Sequence, residues 1–395
     1  MTFLRSHADD LPLDTWLNTQ VFPYEAKLTP EDISVFTKLA ILEYLTSGTT
    51  AVMEMYLDPE TIARTADSMG MRMVQVGGIN NFTQPPAMLE KWYRELNGVS
   101  PLTSFELGFH AEYTCSRELL EQIAELAHRL QAPVFTHCEE TFAETQGCLE
   151  RYGRTPVALL AELGIWDYGG AGYHLVHTNE EDRAILLEKK VGVVTNPASN
   201  AKLASGIAPL SDYLSAGIPV AIGTDGPASN NCLDMFREMF LATALAKLRT
   251  GDASAVPAGE VLKMATVSGA HIMRIPDADV LAEGKLAEAR ELQYAVNEVI
   301  YKMCSAHGNM YAVIKEILRI NEALDLGGVR LPLAPLAGED RAICKEAAAM
   351  IRAAREKYGA NTGYSETAAA FSSGMRHRRR AERLFSSRCW NSSLP

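Results

Sequence analysis

Seven short apolar runs punctuate the chain between residues 48 and 225, and most end on a polar or ionisable side chain. They cover residues 48–54, 71–77, 105–110, 133–137, 173–177, 191–195 and 219–224. Each has the length and β-branched or aromatic content of a buried strand. The segments between them read as helices. Residues 118–130 carry apolar side chains at Leu119, Leu120, Ile123, Leu126, Ala127 and Leu130, a helical spacing. Asn179-Glu-Glu-Asp182 reads as a helix start, with acids in its first turn. Repeated strand–helix units of this length predict a parallel sheet covered on its faces, and seven strands fall one short of a closed (β/α)8 barrel.

After Asp225 the pattern turns helical, over residues 233–248 and 257–268, followed by a turn around Ile275-Pro-Asp-Ala-Asp. From about residue 285 the character changes. Residues 286–322 and 339–358 are helix-patterned around a connector containing Leu331-Pro-Leu-Ala-Pro-Leu336. Residues 359–395 are rich in Ser, Ala and Arg and show no apolar period, so they read as a disordered basic tail. The expected domains are therefore a barrel over 1–284, a helical segment over 285–358 and the tail over 359–395.

Four strand ends carry candidate chemistry: His137, the His174-Leu-Val-His177 pair, Asn196 and Asp225. In a parallel barrel the strand ends converge on one face, and His and Asp meeting there suit a borderline divalent ion. Glu140, three residues beyond His137, is placed to move protons beside such an ion. An isolated strand-end His is more often structural, and a lone Asp before Gly-Pro more often caps a helix. The combination shifts both readings towards function. The odd separation of His174 and His177 on one extended run allows only one to face the barrel, and His174 is the choice. His110 ends a further strand, and Asn196-Pro-Ala-Ser-Asn200 with Lys202 reads as a rigid polar loop at the same mouth.

Composition narrows the partners. The chain has 395 residues, 47% of them hydrophobic, and a formal net charge of -12. With a sequence pI near 5.3, it offers no basic field for nucleic acid or anionic membrane. Seven scattered cysteines without a Cys-x-x-Cys pair fit reduced thiols, and the charged start lacks a signal-peptide core. A soluble cytoplasmic protein acting on a small molecule is expected, free of nucleic-acid and membrane partners.

The segments Phe135-Thr-His-Cys-Glu-Glu140, His174-Leu-Val-His177, Asn196-Pro-Ala-Ser-Asn-Ala-Lys-Leu203 and Gly223-Thr-Asp-Gly-Pro-Ala-Ser-Asn-Asn231 resemble the amidohydrolase superfamily. The nearest branch looks like the methylthioadenosine/S-adenosylhomocysteine deaminases and related chlorohydrolases, over about residues 1–286. The resemblance implies a distorted (β/α)8 barrel with one divalent metal ion, zinc or alternatively iron, and a branch whose barrels are often homo-oligomers. It implies His137 and Asp225 as metal ligands, Glu140 as proton shuttle and His174 as hydrogen-bond partner of the attacking water. Glu25 would grip ribose hydroxyls, and His110 and Ser229 would lie on the substrate side. Hydrolytic deamination of an adenine-type nucleoside, or of a related N-heterocycle, is the implied activity. The alternatives are removal of another leaving group, such as chloride, and a catalytically inactive barrel.

The family's first strand carries a His-x-His pair with two more ligands, and this sequence starts just beyond that motif. The expectation is a barrel incomplete at strand 1. Residues 285–358 resemble instead the last helices of the dihydrodipicolinate synthase/N-acetylneuraminate lyase family, without its Schiff-base lysine or catalytic tyrosine regions. A truncated deaminase joined to a lyase-like tail is the expected organisation.

Overall fold

The computed structural model describes residues 2–82, 85–275, 278, 286–329 and 331–358. The turn expected around Ile275-Pro-Asp-Ala-Asp, the 284/285 junction and the basic tail lie wholly or largely outside the described residues. The chain divides into two compact units, Met1–Leu281 and Ala282–Pro395.

The first unit is built on seven strands: β1 (Ala51–Met55), β2 (Arg72–Val76), β3 (Thr103–Ala111), β4 (Val134–Cys138), β5 (Gly170–His174), β6 (Val191–Thr195) and β7 (Val220–Ile222). They pair in sequence order, and every pair is parallel. Parallel neighbours need crossovers, and helices supply them, among them Pro59–Met69, Pro86–Leu96, Arg117–Leu130 and Glu180–Glu188. Each of these packs an apolar stripe onto the sheet. The largest apolar cluster joins Phe105, Leu107 and Phe109 of β3 to Leu120 and Ile123 of the Arg117–Leu130 helix.

Alternate strand residues point the other way. Met53, Val76, Phe135, Ala171, Tyr173 and Val194 form one cluster contributed by β1, β2, β4, β5 and β6. Side chains from strands so far apart in the order meet only if the sheet curls. The fold is thus a barrel-type α/β sheet of seven strands, and β1 and β7 are unpaired edges among the described residues.

Three sequence expectations need correction. The fifth strand is Gly170–His174, not 173–177. His174 has φ +70 and Leu175 φ +44, so the chain turns before His177, and the alternation used to choose between the two histidines does not apply. His177 instead bonds the Ser205 carbonyl through Nε2 at 2.7 Å. The 257–268 helix breaks at Thr266 into Ala258–Ala265 and Val267–Ile272. The polar loop after β6 is a short helix, Pro197–Lys202.

The amino-terminal stretch is also helical. Thr29 opens the Pro30–Thr46 helix with a capping box to Asp32. Before it, a π-helical turn, Leu17–Val21, packs Trp16, Leu17 and Val21 against Leu203.

The second unit contains helices Leu286–Cys304, Met310–Glu322 and Asp340–Tyr358 around a small core of Val313, Ile317, Cys344, Ala347 and Ala348. Asp340 fastens its turns: the buried carboxylate accepts the backbone N–H groups of His307 (2.8 Å), Gly308 (3.0 Å) and Ala337 (2.7 Å). Among the described residues, no helix is long and apolar enough to cross a membrane.

Two outcomes follow. Gly170 has φ +129, and a Cβ there would overlap the Val134 carbonyl of the neighbouring strand. Gly170→Ala is expected to destabilise the first unit by about 3 kcal/mol, measured by urea unfolding. In the second unit, the His307 N–H foremost, with those of Ala337 and Gly308, lowers the Asp340 pKa to about 2, against the opposing effect of burial. A carboxyl depressed on folding contributes stability above its unfolded value of about 3.9, and loses it as the pH falls towards 2. Asp340→Asn should flatten that acid limb in a pH series of amide exchange over the Met310–Glu322 helix.

Candidate active site

At the carboxyl ends of β3 to β7 the side chains change from apolar to polar, and those of β3, β4, β5 and the loop after β7 are ionisable. His110 sits near the end of β3, and its ring centroid is 5.1 Å from that of His137 on β4. The His137 ring in turn stacks on His174 at the end of β5, 5.6 Å away with 27° between planes. Asp225, three residues past β7, completes the group and acts on both the His137 and His174 rings. Inward alternation places His110 and His137, while left-handed turns at the strand ends bring in His174 (φ +70) and Asp225 (φ +58), so residues up to 115 positions apart meet.

Each side chain is held in one orientation. His137 Nδ1 meets the His110 carbonyl at 2.7 Å, so Nδ1 carries the proton and Nε2 keeps a free lone pair. The Asp225 carboxylate accepts from Ser199 Oγ (2.6 Å), Ser229 Oγ (2.7 Å) and its own neighbour Gly226 N (2.7 Å). Ser229 is therefore placed against Asp225. Asp225 caps no helix, since the Pro227–Asn230 helix has Gly226 at its N-cap and no side-chain cap bond.

Glu140 lies just past β4, 5% exposed. Its Oε2 is 3.7 Å from His174 Nε2, and its Oε1 accepts from Ser205 Oγ at 3.0 Å. The turn that aims it is clamped by Glu144, whose two carboxylate oxygens accept the backbone N–H groups of Glu139 (2.8 Å) and Glu140 (2.9 Å). Glu139 takes the left-handed φ of +51 inside this clamp.

The electrostatics divide the rings. Burial, reinforced by His137, drives the His110 pKa down to about 3, and burial with His174 also lowers that of His137. Burial works against charge at His174 as well, but the Glu140 and Asp225 carboxylates outweigh it and raise the pKa. Asp225 mirrors this. Burial opposes its charge, yet His174, His137 and the two serine hydroxyls hold it below the usual carboxylate range. Burial, with Glu140 close by, raises Glu144 to about 7. Such opposed shifts in one cleft mark groups able to exchange protons.

Glu25 reaches the same mouth by another route. It ends the short Phe22–Glu25 helix, where Phe22 lies edge-on to His110 at 6.2 Å. Its carboxyl hydrogen-bonds Tyr56, just beyond β1, and burial raises its pKa against that bond.

All seven singled-out residues thus lie at one end of the sheet. Reading the sequence missed Ser199, Asn200, Ser205 and Glu144 as partners. The Thr141-x-x-Glu144 spacing signals a capping pair, but Glu144 reaches past the N-cap to residues 139 and 140.

The donors suit a divalent ion in kind: an imidazole with Nδ1 tied to a carbonyl, as metal-binding histidines usually are, and an ionised aspartate. In number they fall short. Among the described residues, no three His, Cys, Asp or Glu side chains are grouped closely enough to hold a metal.

Residues 1–292 match the amidohydrolase family. A 5-methylthioadenosine/S-adenosylhomocysteine deaminase of Syntrophomonas wolfei is 40% identical over 339 residues, covering 83% of this chain and 76% of that protein. The solved structure of an adenosine deaminase from Xanthomonas campestris with bound zinc is 36% identical, with a TM-score of 0.66 over 69% of this chain and 64% of that one. The atrazine chlorohydrolase of Arthrobacter aurescens TC1, complexed with zinc, shares the fold at 23% identity and TM-score 0.63, covering 70% of this chain and 68% of that one. This chain spans about two thirds to three quarters of these proteins. The converging strand ends and the matched sequence agree, and the chain belongs to the amidohydrolase family.

Proposed function

We propose that the chain is a metal-dependent hydrolytic deaminase of an adenine-type nucleoside of the S-adenosylhomocysteine or methylthioadenosine class, or of a related N-heterocycle. The observation that carries this reading is the buried Glu140–His174 pair, 3.7 Å apart, set against His137 and Asp225 at the strand ends. The deaminase relatives support it. Hydrolysis bonds a water oxygen to the ring carbon that bears the amino group. The carbon–nitrogen bond then breaks and ammonia leaves with the proton it needs.

His137, through its free Nε2, and Asp225 would hold one divalent ion, zinc by analogy with the solved relatives. Such an ion, when bound, lowers the pKa of water to about 7. Glu140 carries the proton from the water to the ring nitrogen. Its free carboxylate oxygen faces the cleft while Ser205 fixes the other. His174 accepts a hydrogen bond from, or donates one to, the attacking oxygen through Nε2, the ring atom turned to Glu140. Glu25 receives the ribose hydroxyls, with Tyr56 orienting its carboxyl. His110 is kept neutral by burial and contacts the purine. Ser229 reaches the substrate only indirectly, by orienting Asp225.

A second reading, a barrel that binds substrate without turning it over, is favoured by the missing third ligand among the described residues. One assay separates the two. With zinc supplied, the deaminase reading expects ammonia release from S-adenosylhomocysteine, methylthioadenosine or adenosine. Glu140→Gln should then lower kcat by about 10²–10⁴-fold while leaving zinc content unchanged. Nucleoside binding with no ammonia from the native chain would establish the second reading.

A further inference from the structure

The short Pro197–Lys202 helix touches the site at more points than any proposed role accounts for. Ser199 bonds Asp225, and Asn200 Oδ1 lies 2.7 Å from His174 Nδ1. Asn196, at the helix N-cap, places Nδ2 at 3.5 Å from the other ring nitrogen, Nε2. Asn200 is 2% exposed and His174 1%, so no solvent competes for the ring.

A buried imidazole in contact with two side-chain amides has its proton placed by them. The Asn200 contact decides which way. The atom facing Nδ1 at 2.7 Å is the amide oxygen, which has no hydrogen to give and can only accept, so the hydrogen sits on Nδ1. Asn196 lies on the opposite ring nitrogen, its Nδ2 at 3.5 Å from Nε2, and so does not compete with Asn200 for Nδ1.

We infer that Asn200 is a positioning residue that keeps the proton of His174 on Nδ1, so that only Nε2 exchanges hydrogen with the cleft. Nδ1–H is retained in both the neutral and the cationic ring, because its acceptor is neutral and fixed. Nε2 is then free to take or give a proton facing Glu140, and the ring cannot flip to present its other nitrogen. The helix holds this geometry from its far end as well. Lys202 Nζ bonds the Ala228 carbonyl (2.9 Å) and pairs with Asp9 (2.7 Å). The catalytic consequence rests on the deaminase reading. The proton placement does not.

The test uses the full chain with ¹⁵N-labelled histidine and long-range ¹H–¹⁵N correlations at pH 8, with the His174→Gln spectrum identifying the ring. Native protein should show a protonated Nδ1. Asn200→Ala should give tautomer-averaged shifts, and Asn200→Asp, which keeps an acceptor, should restore the protonated Nδ1. An unprotonated Nδ1 in the native chain, or an unchanged pattern in Asn200→Ala, overturns the inference. If Asn200→Ala does not fold, the native and Asp spectra still decide it. Turnover gives a second arm: Asn200→Ala should lower kcat about 10–100-fold with KM little changed, partly rescued by Asp. An unchanged kcat beside averaged shifts removes the positioning role. A chain without turnover refutes the deaminase reading and leaves the proton placement to the spectrum.

Discussion

The whole site depends on sharp turns at the ends of parallel strands. Non-glycine residues adopt left-handed backbone at Glu139 (φ +51), His174 (+70), Leu175 (+44) and Asp225 (+58); the first three stand at or directly after the ends of β4 and β5, and Asp225 lies three residues past β7. Each such residue costs on the order of 1–3 kcal/mol and survives only where neighbours over-determine it. Here they do. Leu175 N bonds the Cys138 carbonyl, while Val176 N and His177 N share the Glu139 carbonyl. Glu144 takes two further N–H groups of the β4 turn, and the Gly226 N–H closes on Asp225. The turns of adjacent strands hold one another, and strain collects at the strand-end cluster.

This arrangement also explains the charge distribution. Two carboxylates, Glu140 and Asp225, enter a space that already holds three imidazoles, all largely out of water. Desolvation alone would favour the neutral forms of Asp225 and the three histidines. Pairing makes the outcome selective: His174 and Asp225 are stabilised in their charged forms, and His110 and His137 in their neutral ones. A neutral imidazole with a free Nε2 suits a metal ligand or a hydrogen-bond partner for a base. A charge-stabilised one beside Glu140 suits proton handling. One polar cluster on one curled sheet thus gives chemically identical side chains opposite protonation preferences.

Much of this was legible in the sequence. Strands β2, β4, β6 and β7 are buried along most of their length, so they appear as apolar runs. Their terminal His137 and Asp225 stood out against that background. β5 was misplaced because its first residues, Gly170-Ala-Gly, are small for steric reasons. A Cβ at Gly170 would strike the backbone of β4, and strand-like bulk appears only at Tyr173. The apolar Leu175-Val176 then extended the apparent strand to His177. The supporting partners were not legible, since nothing local links Ser205 to Glu140 across 65 positions or Asn200 to His174 across 26. Those pairs exist only once the barrel-type curl brings successive strand ends together. The roles proposed for these residues come from the family motifs, since spacing alone assigns none.

The central claim is that the strand-end cluster is the place where this chain binds its ion and performs its chemistry. Anomalous diffraction at the zinc edge, from crystals of the full chain grown with zinc, tests it most directly. The account predicts one zinc peak in contact with His137 and Asp225, on the side facing Glu140 and His174. Zinc bound elsewhere on the chain, or no peak at this cluster at saturating zinc, would contradict it.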